Sequence, residues 1–206
     1  MTDRVTADEV CVELHDSDWS RSLKPKHKTA VIIGSAPSPR VDLIPQLEPC
    51  LKIACNAGVH LYDSDIWMVF DASFTQKPPF EPAYKTYKGI KLFGRNLADL
   101  SDMVFEYEPT LKTYDGKPVY PLLRGGATIA GCALQLCYHL KIKRVYFVGV
   151  DMYGQHYADG SIDLEPRKER EWAQLKRMNL LINNVTDRMT VYKTSGYIEC
   201  REYFGR

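Results

Sequence analysis

The chain has 206 residues, of which 45% are hydrophobic and 26% are charged. These fractions are ordinary for a globular protein and exclude a disordered, collagenous or low-complexity chain. Its 27 basic and 26 acidic residues give a net charge of +1, so no general attraction for nucleic acid or anionic membranes is expected. The length predicts one domain whose core is large enough to fold without disulfides or metals.

The six cysteines form no CxxC pair, and none lies beside a closely spaced histidine. This pattern indicates reduced thiols rather than a disulfide framework or a zinc site. The first residues are polar and acidic, unlike a secretory signal, and no apolar run reaches the length of a membrane span. We therefore expect a cytoplasmic protein with no metal site and no transmembrane segment.

The chain divides into a polar N-terminal lead-in, 1–28, and an α/β domain, 29–206. Short apolar runs predict strands at 29–33, 51–55, 66–70, 90–93, 103–107, 144–150 and 189–192. Apolar residues at helical spacing predict helices over 41–47, 127–140 and 165–183. The stretch 75–123 is predicted to be a small, loop-rich insertion at one edge of the sheet, with the length and polarity of a lid.

Strands that alternate with helices predict a Rossmann-like, mostly parallel sheet with helices on both faces. In such sheets ligands bind beyond the carboxyl ends of the strands. Small or polar residues follow four of the predicted strands, which makes them candidates for binding. They are Gly34, Ser35, Ala36 and Ser38 after the first strand, Asn56 after the second, Asp71 and Ser73 after the third, and Asp151 after the sixth.

Two turns have the composition of anion sites. The turn 34–38 places small residues before a predicted helix but lacks the GxGxxG pattern and the P-loop lysine. The run Arg124-Gly125-Gly126-Ala127-Thr128 opens the second predicted helix and combines an arginine with close backbone approach. An ordinary strand-to-helix turn and an ordinary helix start are the alternative interpretations.

Besides Asp151, three ionisable side chains lie just beyond the sixth predicted strand: Tyr153, His156 and Tyr157. Tyrosine hydroxyls can donate to a phosphate, and a histidine can accept or release a proton near neutral pH. A surface-loop position is the alternative interpretation for His156.

Taken together, these motifs resemble those of the bacterial CMP-sialic-acid-dependent sialyltransferases. Their wider relatives are the motility-accessory-factor glycosyltransferases and the archaeal pterin diphosphokinases. The run 31–38 resembles the family's first strand and turn, and Cys55-Asn56 matches the Cys-Asn after its second strand. The run 70–73 is similar to the end of its third strand, and Arg124 with 145–153 matches the pattern of the wider group.

The resemblance implies a Rossmann-like fold that binds a CMP-linked sugar donor through the first turn and Asn56. It implies that Tyr153 and Tyr157 hold the donor phosphate, that a histidine is the general base, and that the acceptor is a glycan or a small alcohol. The family's histidine lies nearer the last helix, where 167–172 of this chain contain none. His156 and Asp71 are therefore the candidate bases.

Three functions remain open from the sequence. The first is a glycosyltransferase-like enzyme that uses a CMP-linked sugar and requires no cofactor. The second is a diphosphokinase-like enzyme acting on a small alcohol, which needs Mg²⁺ held by carboxylates such as Asp71 and Asp151. The third is a non-catalytic nucleotide-binding module. A homo-oligomer is compatible with each of them.

Overall fold

The computed structural model describes residues 23, 26–36, 40–78, 80–106, 114–118, 122–123, 128–150 and 168–193, with side chains from residue 173 onward in the last range. Seven strands form one sheet in the order β5-β4-β3-β2-β1-β6-β7, and every neighbouring pair is parallel. They are β1 (Thr29–Ile33), β2 (Leu51–Cys55), β3 (Ile66–Val69), β4 (Ile90–Gly94), β5 (Met103–Phe105), β6 (Arg144–Val148) and β7 (Thr190–Lys193). The predicted parallel α/β sheet is confirmed.

Five α-helices and three 3₁₀-helices are described. The α-helices are α1 (Ile44–Leu47), α2 (Ala72–Thr75), α3 (Phe80–Thr86), α4 (Ile129–His139) and α5 (Lys168–Val185). The 3₁₀-helices are Val41–Leu43, Asn56–His60 and Arg95–Leu100. Among the described residues, no helix is both long and apolar enough to cross a membrane.

The helices cover both faces of the sheet, because successive side chains of a strand point to opposite faces. On one face α4 and α5 pack against residues such as Ile32 and Phe147. On the other, α2 and α3 pack around Trp67 of β3, and α1 packs on Ile33. Strands β2 to β5 lie on one side of β1, and β6 and β7 lie on the other, so the direction in which strands are added reverses between β1 and β6. Open α/β sheets bind ligands at such a switch point.

The stretch 75–123 supplies two strands of the sheet, β4 and β5, together with α3. Both strands lie at one edge of the sheet, where the insertion is predicted, and they continue the parallel ladder from β3. Beyond β5 the chain returns to the same edge, where the Leu123 amide donates to the Glu106 carbonyl at 2.9 Å. The lid remains a prediction.

The end of the lead-in 1–28 is attached to the sheet. The Lys28 carbonyl accepts hydrogen bonds from the amides of Lys143 (2.8 Å) and Arg144 (3.1 Å). Leu23 is 7% exposed and belongs to the main core. Residues 1–22 lie outside the described part of the chain.

Candidate functional site

The turn that follows β1 is pressed against the turn that follows β6. The Gly34 amide donates to the Val148 carbonyl at 2.8 Å, and the Ala36 amide donates to the Gly149 carbonyl at 2.9 Å. A Cβ on Gly34 would lie 2.2 Å from the Gly149 oxygen, so only glycine permits this approach. Both amides are engaged within the protein, which leaves the amide and hydroxyl of Ser35 as the donors of the described part of this turn, 34–36. Neither has a partner among the described residues.

The 3₁₀-helix Asn56–His60 brings a third turn to the same place. A Cβ on Gly58 would lie 2.2 Å from the Ile33 carbonyl oxygen and 3.1 Å from that of Gly34. The carboxyl ends of β2, β1 and β6 are therefore in direct contact. The strand-end residues that sequence reasoning selected in the first two turns are neighbours in space.

Asn56 has an unpartnered acceptor in this junction. Its φ of 48° is left-handed, a conformation that asparagine adopts more readily than most residues, and its carbonyl accepts from Trp67 Nε1 at 2.9 Å. Its side-chain Oδ1 is buried and accepts no hydrogen bond. An unsatisfied buried acceptor costs about 1–3 kcal/mol unless a water or a ligand supplies the missing hydrogen bond.

Asp71 and Ser73 lie together and exposed at the carboxyl end of β3. Asp71 is the N-cap of α2, and its Oδ1 accepts from the Ser73 amide at 2.9 Å. This bond fixes the position of the Asp71 carboxylate while leaving it accessible to solvent. Asp71 is thus held at the edge where the ligand is expected.

The ends of β4 and β5 add polar groups that the sequence analysis missed. Asn96 Nδ2 donates to the Phe70 carbonyl at 3.0 Å, and the Arg95 guanidinium pairs with the Glu106 carboxylate at 2.8 Å. These residues directly follow their strands, which is the signal that selected Asn56 and Asp71. It was not applied here because the stretch was interpreted as an insertion.

Thr128, selected as a nucleotide-binding residue, caps α4. Its Oγ1 accepts from the Gly131 amide at 3.0 Å, and its extended backbone makes the helix begin at Ile129 rather than at 127. The other selected residues lie outside the described part of the chain and stay predictions: Ser38, Arg124, Gly125, Gly126, Ala127, Asp151, Tyr153, His156 and Tyr157.

Buried thiols lie beneath the junction. Burial raises the pKa of Cys55, which precedes Asn56, well above its ordinary value, and the nearby thiols of Cys132 and Cys137 raise it further. Burial also raises the pKa of Cys137. These thiols therefore stay protonated at neutral pH and pack as small apolar groups. Within the described ranges, no group of three or more metal-ligating side chains occurs.

No protein-family model and no curated protein matches the chain. Several solved structures align with the chain. The sialyltransferase CST-II in complex with a trisaccharide acceptor and CMP aligns over 86% of this chain and 85% of its own, with 13% identity and a TM-score of 0.50. CstII from Campylobacter jejuni in complex with CMP-3FNeuAc aligns over 85% and 84%, with 13% identity and a TM-score of 0.49. The alignment with CST-II shows that the chain has the same α/β fold, as the resemblance implied.

Proposed function

We propose that the protein is a glycosyltransferase-like enzyme that binds a nucleotide sugar, CMP-linked, at the carboxyl edge of the sheet. The observation that carries this proposal is the buried, unpartnered Oδ1 of Asn56 at the junction of three turns. An acceptor in that position suits an N–H or O–H donor, and the amino group of cytosine and the ribose hydroxyls are such donors. CST-II, which shares the fold, was solved with CMP bound.

The first turn complements Asn56. The free amide and hydroxyl of Ser35 can donate to an anionic oxygen such as that of the donor phosphate. Because Gly34 and Ala36 use their amides to bind the β6 turn, anion binding by this turn is assigned to Ser35 and, as a prediction, to Ser38 rather than to the amides of Gly34 and Ala36.

Transfer breaks the bond between the anomeric carbon and the phosphate oxygen of CMP and forms a bond from that carbon to the acceptor oxygen. The acceptor hydroxyl gives its proton to a base, for which His156 and Asp71 are the candidates. The phosphate leaves with the bonding electron pair, and Tyr153, Tyr157 and Arg124 are assigned to stabilise it.

The direct test is release of CMP from CMP-sialic acid with and without a galactoside acceptor. We expect His156→Ala or Asp71→Asn to lower the rate about 100-fold or more, whichever residue is the base. Asparagine retains the N-cap of α2, so Asp71→Asn changes only the carboxylate. Tyr153→Phe tests stabilisation of the phosphate, and Tyr192→Phe on β7 is the matched control.

Mg²⁺ separates the proposal from the alternatives. CMP release that persists in EDTA supports it. Pyrophosphate transfer from a nucleoside triphosphate that requires Mg²⁺ contradicts it in favour of a diphosphokinase. Nucleotide binding without turnover of any donor contradicts it in favour of a binding module.

A further inference from the structure

Five cationic side chains gather at the amino-terminal edge of the sheet, opposite the candidate site. This basic edge consists of Lys26, Lys28, Lys141, Lys143 and Arg144, and each of the five is exposed. Three of them are brought together by backbone pairing, since the Lys28 carbonyl binds the amides of Lys143 and Arg144. Neighbouring strands are about 4.8 Å apart, so the backbone positions that carry these three side chains are adjacent.

Within the described ranges, no carboxylate forms an ion pair with the basic edge. None of its five side chains forms an ion pair in the described structure, whereas Lys52, Lys85 and Lys91 each pair with a carboxylate. Glu48 and Asp65 line a cavity with Lys26, but Glu48 pairs with Lys52 and Asp65 accepts from the Lys52 amide. Unpaired like charges at this spacing repel one another, and binding of an anionic partner reduces this repulsion.

The charge missing from the basic edge is present elsewhere in the sequence. Residues 1–22 contain six acidic residues and two arginines, a net charge of −4, although the whole chain carries +1. The remainder, 23–206, therefore carries +5. The even overall balance conceals two segments of opposite charge.

We propose that the basic edge is the docking surface for the chain's own acidic segment, 1–22. The segment is joined to the edge through Leu23, which is buried in the core three residues before Lys26. So short a tether gives a high effective concentration, and modest attraction per charge then suffices. Four of the five cations are lysines, whose ammonium groups act as point charges on flexible side chains. Such charges favour a diffuse, salt-sensitive attraction to many carboxylates over bidentate binding of a single carboxylate.

The test uses a nitroxide label on Cys11 in the full chain with Cys200→Ser. The thiols Cys50, Cys55, Cys132 and Cys137 are buried, so the reagent modifies Cys11 selectively. In NMR spectra at about 20 mM NaCl, we expect the nitroxide to broaden the amide resonances of 26–28 and 141–144. At about 500 mM NaCl these resonances should recover, because salt screens the attraction between exposed charges. Lys28→Glu with Lys143→Glu should abolish the broadening, and the control pair Lys117→Glu with Lys176→Glu should preserve it. Broadening absent at low salt, or unchanged by salt or by the edge substitutions, overturns the proposal.

A second measurement distinguishes the segment from an external polyanion. Replacing the six acids of 1–22 by their amides should free the edge and raise the salt concentration needed to elute the chain from heparin. Equal elution of the two proteins overturns the proposal, since the edge would then be open to an outside polyanion regardless of the segment. Neither readout depends on nucleotide binding, so failure here is distinct from failure of the proposed function.

Discussion

At the residue scale, Gly34 and Gly58 are the two positions where the junction of turns has no room for a Cβ. A Cβ at Gly34 would lie 2.2 Å from the Gly149 oxygen, so Gly34→Ala must separate the ends of β1 and β6. We expect it to lower the free energy of unfolding by about 2–4 kcal/mol, measured in urea. Ser35→Ala, next in the chain, is the control and should change it by less than about 0.5 kcal/mol. Equal effects of the two changes would contradict the close contact.

His139 predicts a pH dependence of stability. Burial lowers the pKa of His139 from 6.5 to about 4. Between these two pH values the imidazole is protonated in the unfolded chain and neutral in the folded chain. Stability is therefore complete above about pH 6.5 and falls as the pH drops toward 4, by about 1–2 kcal/mol after allowing for partial exposure. Urea unfolding at pH 7 and pH 5 measures the change, and His139→Gln should flatten it. An unaltered slope in that variant would exclude His139 as its source.

Sequence position alone identified Asn56 and Asp71, because a polar residue after a buried strand lies at the carboxyl edge of a parallel sheet. It could not show that the amides of Gly34 and Ala36 bind the β6 turn, since that contact joins residues more than 100 positions apart. It also could not show that Asn56 Oδ1 lacks a partner, which depends on every neighbour in the fold.

At the element scale, α4 depends on Thr128 for its start. Thr128→Ala removes the Oγ1 bond to the Gly131 amide and should cost about 0.5–2 kcal/mol of stability, while Thr128→Ser should restore most of it. Thermal unfolding of the three proteins provides the measurement. If serine fails to rescue, the cap bond is not the stabilising contact.

The turn 114–118 is fixed to α5. Gly116 has a φ of 76°, and a Cβ there would lie 2.5 Å from the Leu180 carbonyl carbon, while Asn184 Nδ2 donates to the Asp115 carbonyl at 3.1 Å. We expect Gly116→Ala to release the turn and lower stability by about 2–4 kcal/mol, against about 1 kcal/mol for Asn184→Ala. Amide hydrogen exchange across 177–184 should accelerate in the glycine variant. Unchanged exchange there would mean that the turn does not support α5.

Six of the seven described strands were predictable as short, mainly apolar runs with glycine, asparagine or aspartate next to at least one end, and β7 was predictable from its β-branched and aromatic residues. The helix α2 was not predictable because it has only four residues, and α3 was not because the prolines around 78–82 suggest a loop. Pro82 lies in the first turn of α3, where its missing amide donor costs nothing. The edge strands β4 and β5 were predicted as strands, but their addition to the main sheet required the pairing with β3 and β4.

At the scale of the whole molecule, the parallel sheet separates two kinds of surface. The carboxyl edge holds the junction of three turns with the unpartnered amide oxygen of Asn56, and the amino edge holds five cations that pair with no carboxylate of the described ranges. Because all described strands run in one direction, each edge collects a different set of loops. The two edges of the sheet therefore differ in chemistry, although the net charge of the whole chain is only +1.

The central claim is tested most directly by titrating CMP into the protein and into Asn56→Gly by calorimetry. Glycine accommodates the φ of 48° without strain and removes a buried, unsatisfied acceptor, so the unliganded variant should unfold at the same temperature or higher. We predict saturable CMP binding by the parent chain, an affinity at least about 10-fold lower in Asn56→Gly, and little change in the control Asn183→Ala, an exposed residue of α5. No CMP binding by the parent chain, or equal affinity in Asn56→Gly, would contradict the claim.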